Sequence, residues 1–104
     1  MSPEVLRLSG EIDLNEKPRV AARLEPLLNR KLPVIVIDLA DVSYVDSSGL
    51  ALFIDALQRA QSYGGQLVLS ALRDNVKMVF EIARLDQVFK IYPTGEDAVR
   101  ALTV

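Results

Sequence analysis

Alternation of strand-type and helix-type patterning along the chain predicts an α/β fold: one domain over residues 1–104, with an open, mostly parallel four-stranded sheet covered by about four helices. Three observations carry the prediction. Val34-Ile35-Val36-Ile37 is an unbroken β-branched run, suited to a strand buried on both faces. Val20, Leu24, Leu27 and Leu28 recur at helical spacing before it, and the run opened by Leu50 does so after it. Strand-type and helix-type segments then alternate to the end of the chain, and a helix between two strands favours parallel neighbours.

Val5 to Ser9 reads as the first strand, ended by Gly10, and Glu11 to Asn15 as a polar connection with Asn15 a candidate helix cap. Glu16 to Arg30 reads as the first helix. Pro18 fits its first turn, whereas Pro26 removes an interior backbone bond and predicts a kink rather than a break. Pro33 introduces the central strand, and Asp38 opens a polar turn after it. The second helix is expected over Asp46–Tyr63, stopped by Gly64-Gly65. Its buried face is expected to hold Leu50, Phe53, Ile54, Leu57, Ala60 and Gln61. Leu52 then points to solvent beside Ala51, Asp55 and Arg59. Gln66 to Ser70 reads as the third strand and Asp74 to Ala83 as a helix with Val76, Val79, Phe80 and Ala83 on one face. Val88 to Tyr92 reads as the last strand, and Thr94, with an acidic residue three positions on, starts a final helix ending near Leu102.

Composition narrows the function. The chain has 104 residues, half of them hydrophobic, a net charge of −2 and neither histidine nor cysteine. Ser-His-Asp and Cys-His triads, His/Cys zinc sites, redox dithiols and disulfides are thereby excluded. Interspersed charges leave no basic footprint for nucleic acid. Met1 to Asp13 carries too many charges for a signal peptide, and no apolar run approaches a membrane span, so a soluble cytoplasmic protein without direct membrane insertion is expected. No metal or other cofactor is expected.

The candidate site is Asp46-Ser47-Ser48-Gly49, where the second helix begins. A helix N-terminus presents unpaired N–H groups and partial positive charge, so a phosphate on a serine there is favoured by about 0.3 to 1 kcal/mol. Gly49 is expected to leave room for an approaching active site. Asp46 is placed to accept a hydrogen bond from serine before modification and to repel a phosphate after it. The same residue types also suit helix capping alone, and from spacing both readings stand. Asp13, after strand one, shares the carboxyl edge of the sheet with this turn. An acid–base pair of Asp13 and Asp46 lacks any pocket that would make it hydrolytic, and neither glycine-rich nucleotide fingerprint is present.

The string IVIDLADVSYVDSSGLALFIDALQRAQSYGGQLVLSAL, with GEID at Gly10 to Asp13 and VKMVFEIARLDQVFKIYPTGEDAV, resembles the STAS domain family and, within it, the bacterial anti-sigma-factor antagonists. The resemblance implies a STAS-like fold and partner switching. The unmodified antagonist binds an anti-sigma factor serine kinase, phosphorylation by that kinase ends the association, and a serine phosphatase resets the cycle. Ser47 matches the phosphoacceptor position; Asp46, Ser48, Gly49 and Asp13 match its surroundings. The expected partner-facing surface comprises Leu14, Asn15, Leu50, Ala51, Leu52 and Asp55. Such a protein is substrate and regulator, with no catalytic residues of its own. Relatives often place glycine at the position of Arg84, so a left-handed cap there is expected to cost about 1 kcal/mol. The alternative the family offers is a regulatory subunit of a membrane transport complex for lipid or anions.

Overall fold

The structure, a computed structural model, describes residues 3–103; Met1, Ser2 and Val104, which the expected 1–104 domain includes, lie outside the described residues. Four strands, β1 (Glu4–Ile12), β2 (Val34–Val45), β3 (Gln66–Ser70) and β4 (Ile91–Tyr92), pair in parallel in the order β1-β2-β3-β4. Helices α1 (Lys17–Asn29), α2 (Ser47–Ser62) and α3 (Asp74–Ile82) lie between successive strands, and α4 (Gly95–Leu102) follows β4. The open α/β sheet with four helices is the predicted class.

Side-chain alternation along the strands divides the core in two. Ile35, Ile37 and Leu39 of β2 join Leu67 and Leu69 of β3 beneath α1, α2 and α3. Phe80 packs there at 6.2 Å from Phe53 and edge-to-face at 5.8 Å from Phe89. On the opposite face Val36, Val68 and Ala98, with Val5, Tyr92 and Leu102 partly buried around them, form a smaller cluster under α4 among the described residues. Val36 and Ile37 are fully buried on opposite faces, as a doubly covered strand requires.

Several boundaries differ from the sequence reading for identifiable reasons. β1 does not stop at Gly10: with φ of +78° there and a register shift between Gly10 and Glu11, the strand bulges and continues to Ile12. β2 does not turn at Asp38. That residue is a buried carboxylate within the strand, its Oδ1 accepting from the Ala40 N–H at 2.9 Å, and β2 runs on to Val45. Room for the carboxylate comes from Gly95, where a Cβ would lie 2.6 Å from Asp38 Oδ2. Asn15 is not the cap of α1; the N-cap is Glu16, and no side chain closes it. α1 runs unbroken through Pro26. Pro26 and Ala22 are both exposed, so the carbonyl that proline leaves without an intrahelical donor faces water. Val88–Lys90 is not strand: a 3₁₀ turn at Leu85–Gln87 takes up the chain, and β4 is two residues long.

Leu52 is the main departure on α2. It is 9% exposed, and Gly49, Phe53, Ala56, Leu57 and Ala60 are buried with it, while Gln61 is exposed and Leu50 and Ile54 are half-buried. The buried arc is turned toward α1 because α2 packs on two walls, the sheet and α1, and Leu52 and Ala56 line the groove opposite Ala21, Leu24 and Leu28. A single-stripe reading of the helix sees only the sheet wall.

β1 is one of the two edge strands, and α1 takes two of its carbonyls: Arg19 Nη2 donates to Ser9 O at 3.1 Å and Arg23 Nη1 to Arg7 O at 2.7 Å. Such covering is one way an edge is withheld from other chains. Below α2, Tyr63 donates its hydroxyl to Leu32 O at 2.7 Å. Burial holds its phenol pKa above the usual value, partly offset by the nearby Arg59.

Arg84 has φ of +60° and ψ of 24° directly after α3, and its N–H reaches Glu81 O at 3.0 Å. The left-handed position expected from the sequence is therefore occupied by an exposed arginine. Arg84→Gly is expected to stabilise the protein by about 1 kcal/mol. A rise in the urea midpoint with unchanged slope in denaturant unfolding is the expected result.

Candidate functional site

The site begins with two turns that β1 and β2 deliver to the same sheet edge. Ile12 and Val45 are register partners at the ends of those strands, and the Asp46 N–H donates to Ile12 O at 3.2 Å. Asp13 and Asp46 thus each follow one of two paired residues. The sequence placed them on one edge, and the structure brings their turns side by side.

Asp46 is the N-cap of α2, with extended backbone (φ −106°, ψ −173°). Its Oδ1 accepts from the Ser48 N–H at 2.9 Å and the Gly49 N–H at 3.1 Å, and Leu50 N–H closes the first intrahelical bond onto Asp46 O at 3.0 Å. The carboxylate therefore neutralises two of the free donors at the helix start. Engaged in this way, it caps over Ser48 and Gly49 through their backbone, rather than accepting from a serine hydroxyl as the sequence suggested.

Ser47 is the first residue of α2 and is exposed, whereas Ser48 is half-buried. Gly49 is buried, and its role differs from the one expected. A Cβ at Gly49 would lie 2.6 Å from Ile12 O and 2.9 Å from both Ile12 Cγ2 and Val45 Cγ1. Its missing side chain lets the first turn of α2 rest directly on the end of β1, so the room it provides is inward, toward the core, and not outward to solvent. Ile12 is the positioning residue the sequence reading missed. It looks like any apolar residue, and its part becomes visible only once β1 is seen to extend past Gly10.

Asp13 is also committed to the backbone: its Oδ1 accepts from the Glu16 N–H at 2.9 Å, and its carbonyl lies 3.2 Å from the same nitrogen. This turn projects Leu14, 68% exposed, together with exposed Asn15. On α2, Ala51 and Asp55 are exposed and Leu50 is half-buried. Of the residues expected to face a partner, only Leu52 is withdrawn into the α1–α2 groove.

Chemically, the edge presents an exposed serine at a helix start, beside a carboxylate that already accepts from two N–H groups. Among the described residues no three acidic side chains converge as a metal ion requires, and no helix is long and apolar enough to cross a membrane.

Comparison with known proteins bears on the family and the fold. The family model described as STAS domain matches residues 2–98. The chain is 37% identical over 84 residues to an anti-sigma-B factor antagonist of Listeria monocytogenes, covering 81% of this chain and 74% of that one. It is 30% identical over 95 residues to the anti-sigma-B factor antagonist of Bacillus subtilis, covering 91% and 86%. The solved structure of an anti-sigma factor antagonist from Mycobacterium paratuberculosis superposes with a TM-score of 0.89 at 26% identity, over 99% of this chain and 87% of that one. The family model over almost the whole chain, together with relatives at 30% and 37% identity, places this chain in the STAS domain family.

Proposed function

We propose that this protein is an anti-sigma factor antagonist that works by partner switching and is not itself an enzyme. Unmodified, it binds an anti-sigma factor that is also a serine kinase. The kinase transfers the terminal phosphoryl group of ATP to Ser47 Oγ, with ADP and the hydroxyl proton leaving, and the complex separates. A serine phosphatase hydrolyses the phosphoester with water and restores the binding form.

The observation that carries the reading is the exposed hydroxyl of Ser47 at the first position of α2. A nucleophile in that place is reachable by a second protein without unfolding, and the helix start stabilises the anion formed on it. The phosphate would bring a charge of about −1.5 to −2 beside Asp46, which already occupies the Ser48 and Gly49 N–H groups. Two anions competing for one set of donors change both the potential and the hydration of the surface. Leu14, Asn15, Leu50, Ala51 and Asp55 form the surface offered to the partner. Leu14 is its apolar anchor and Asp55 a charge able to orient the encounter.

The test uses the purified protein, its cognate kinase and ATP. One phosphate per chain by mass spectrometry, absent in Ser47→Ala, is the expected outcome. Undiminished labelling of Ser47→Ala would move the acceptor elsewhere and remove the basis of the switch.

A further inference from the structure

On the face of the sheet away from α1, α2 and α3, α4 covers β2 and β3 but leaves the β1 side uncovered. A groove of about 600 Å³ opens there between β1 and α4, lined by Val5, Arg7, Arg23, Gly95, Glu96, Val99 and Arg100. That volume falls within the roughly 300–1,000 Å³ of small-molecule sites. In a chain with net charge −2, this lining carries three guanidinium groups against one carboxylate.

The arginines reach the groove from three different elements. Arg7 projects from β1 on the same face as Val5, because Leu6 and Leu8 between and beyond them enter the main core. Arg23 comes from α1 around the sheet edge and is held by its bond to Arg7 O at 2.7 Å. Arg100 lies on the last turns of α4, its only ion pair among the described residues a loose 3.5 Å contact with Asp97, the arginine side chain being 78% exposed. Arg7 makes no ion pair among the described residues. Val5 and Val99 are half-buried beside these charges.

Guanidinium groups favour carboxylate and phosphate oxygens, which they can hold with two parallel N–H donors. Beside Glu96 and Gly95, the rest of the lining is the aliphatic pair Val5 and Val99: it has no aromatic ring on which a base would stack and no side-chain amide to read one. We infer that this groove is a binding site for a small amphipathic anion, an aliphatic chain bearing a carboxylate or phosphate head. Arg7, Arg23 and Arg100 would take the head, and Val5 and Val99 the chain. The site lies on the other face of the sheet from α2 and is independent of the Ser47 reading.

The chemistry could be met by a free aliphatic acid or by a lipid headgroup, and the free molecule is the one proposed, because half-buried Val5 and Val99 sit beside the arginines in an open groove between β1 and α4, where a short chain and its head can lie together. Decanoate, below its micellar concentration, is titrated into ¹⁵N-labelled protein. Saturable amide shifts are expected at Val5, Arg7, Gly95, Glu96 and Val99. Decyltrimethylammonium, with the same chain and opposite charge, and acetate, with the head alone, are expected to leave them unmoved.

Arg7→Ala/Arg100→Ala is expected to weaken decanoate binding at least tenfold. Arg100→Glu, at a side chain open to water, is expected to do so with an unchanged melting temperature, which keeps the result readable if the double variant folds poorly. Equal binding of the two detergent charges, shifts centred elsewhere, or undiminished binding by Arg100→Glu would each overturn the proposal. So would arginine-dependent association with phosphatidylglycerol vesicles in the absence of any response to monomeric decanoate.

Discussion

Ser47→Asp is expected to lower affinity for the cognate anti-sigma kinase at least tenfold, while Ser47→Ala binds as the parent does. The aspartate places a permanent charge at the first position of α2, directly beside the Asp46 carboxylate. Burying an unpaired charge, or setting like charges together, at a protein interface costs up to several kcal/mol, and about 1.4 kcal/mol is already tenfold. The same substitution leaves the fold intact, because acidic residues in a first helical turn are mildly stabilising, by about 0.3 to 1 kcal/mol. Isothermal titration with each variant, accompanied by melting curves, separates lost binding from lost structure. Equal affinities for the aspartate and alanine variants would show that negative charge at this place is not what releases the partner.

The largest effect on stability is expected from Gly49→Ala. The new methyl would stand 2.6 Å from Ile12 O and 2.9 Å from two core side-chain carbons. A flexible side-chain tip could swing aside, but a backbone carbonyl paired to Asp46 N–H cannot. Either α2 lifts from the end of β1 or β1 bends. Overpacking of this kind costs about 1 to 3 kcal/mol. At about 4–8 °C per kcal/mol for a domain near this size, a fall in melting temperature of that order per kcal/mol lost is the expected reading. Because the displaced turn carries Ser47, slower phosphorylation should accompany it. A melting temperature equal to the parent's would mean that Gly49 is not the close contact described.

Much of the architecture is legible in the residues themselves because the relevant forces are local. The β-branched run at Val34 to Ile37 declares a doubly buried strand, and Val20, Leu24, Leu27 and Leu28 are the buried residues of α1. Asp46 and Gly64-Gly65 bracket α2 to within a residue. What escaped depends on partners distant in sequence. Asp38 looks like a turn residue, and its buried carboxylate is accommodated by the Ala40 N–H and by the space that Gly95 of α4 leaves over it. Leu52 reads as exposed until α1 supplies a second wall. At the candidate site the serine, its cap and the neighbouring aspartate were all visible in the sequence. The inward function of Gly49 was not, since no local pattern reveals that Ile12 lies against it.

The two arginines of α1 laid along the rim of β1 also bear on how open that rim is to another strand. With the outward acceptors of Arg7 and Ser9 already spoken for, a neighbouring chain finds fewer free acceptors for pairing along β1. A second strand approaching on the β1 side would first have to displace both guanidinium groups.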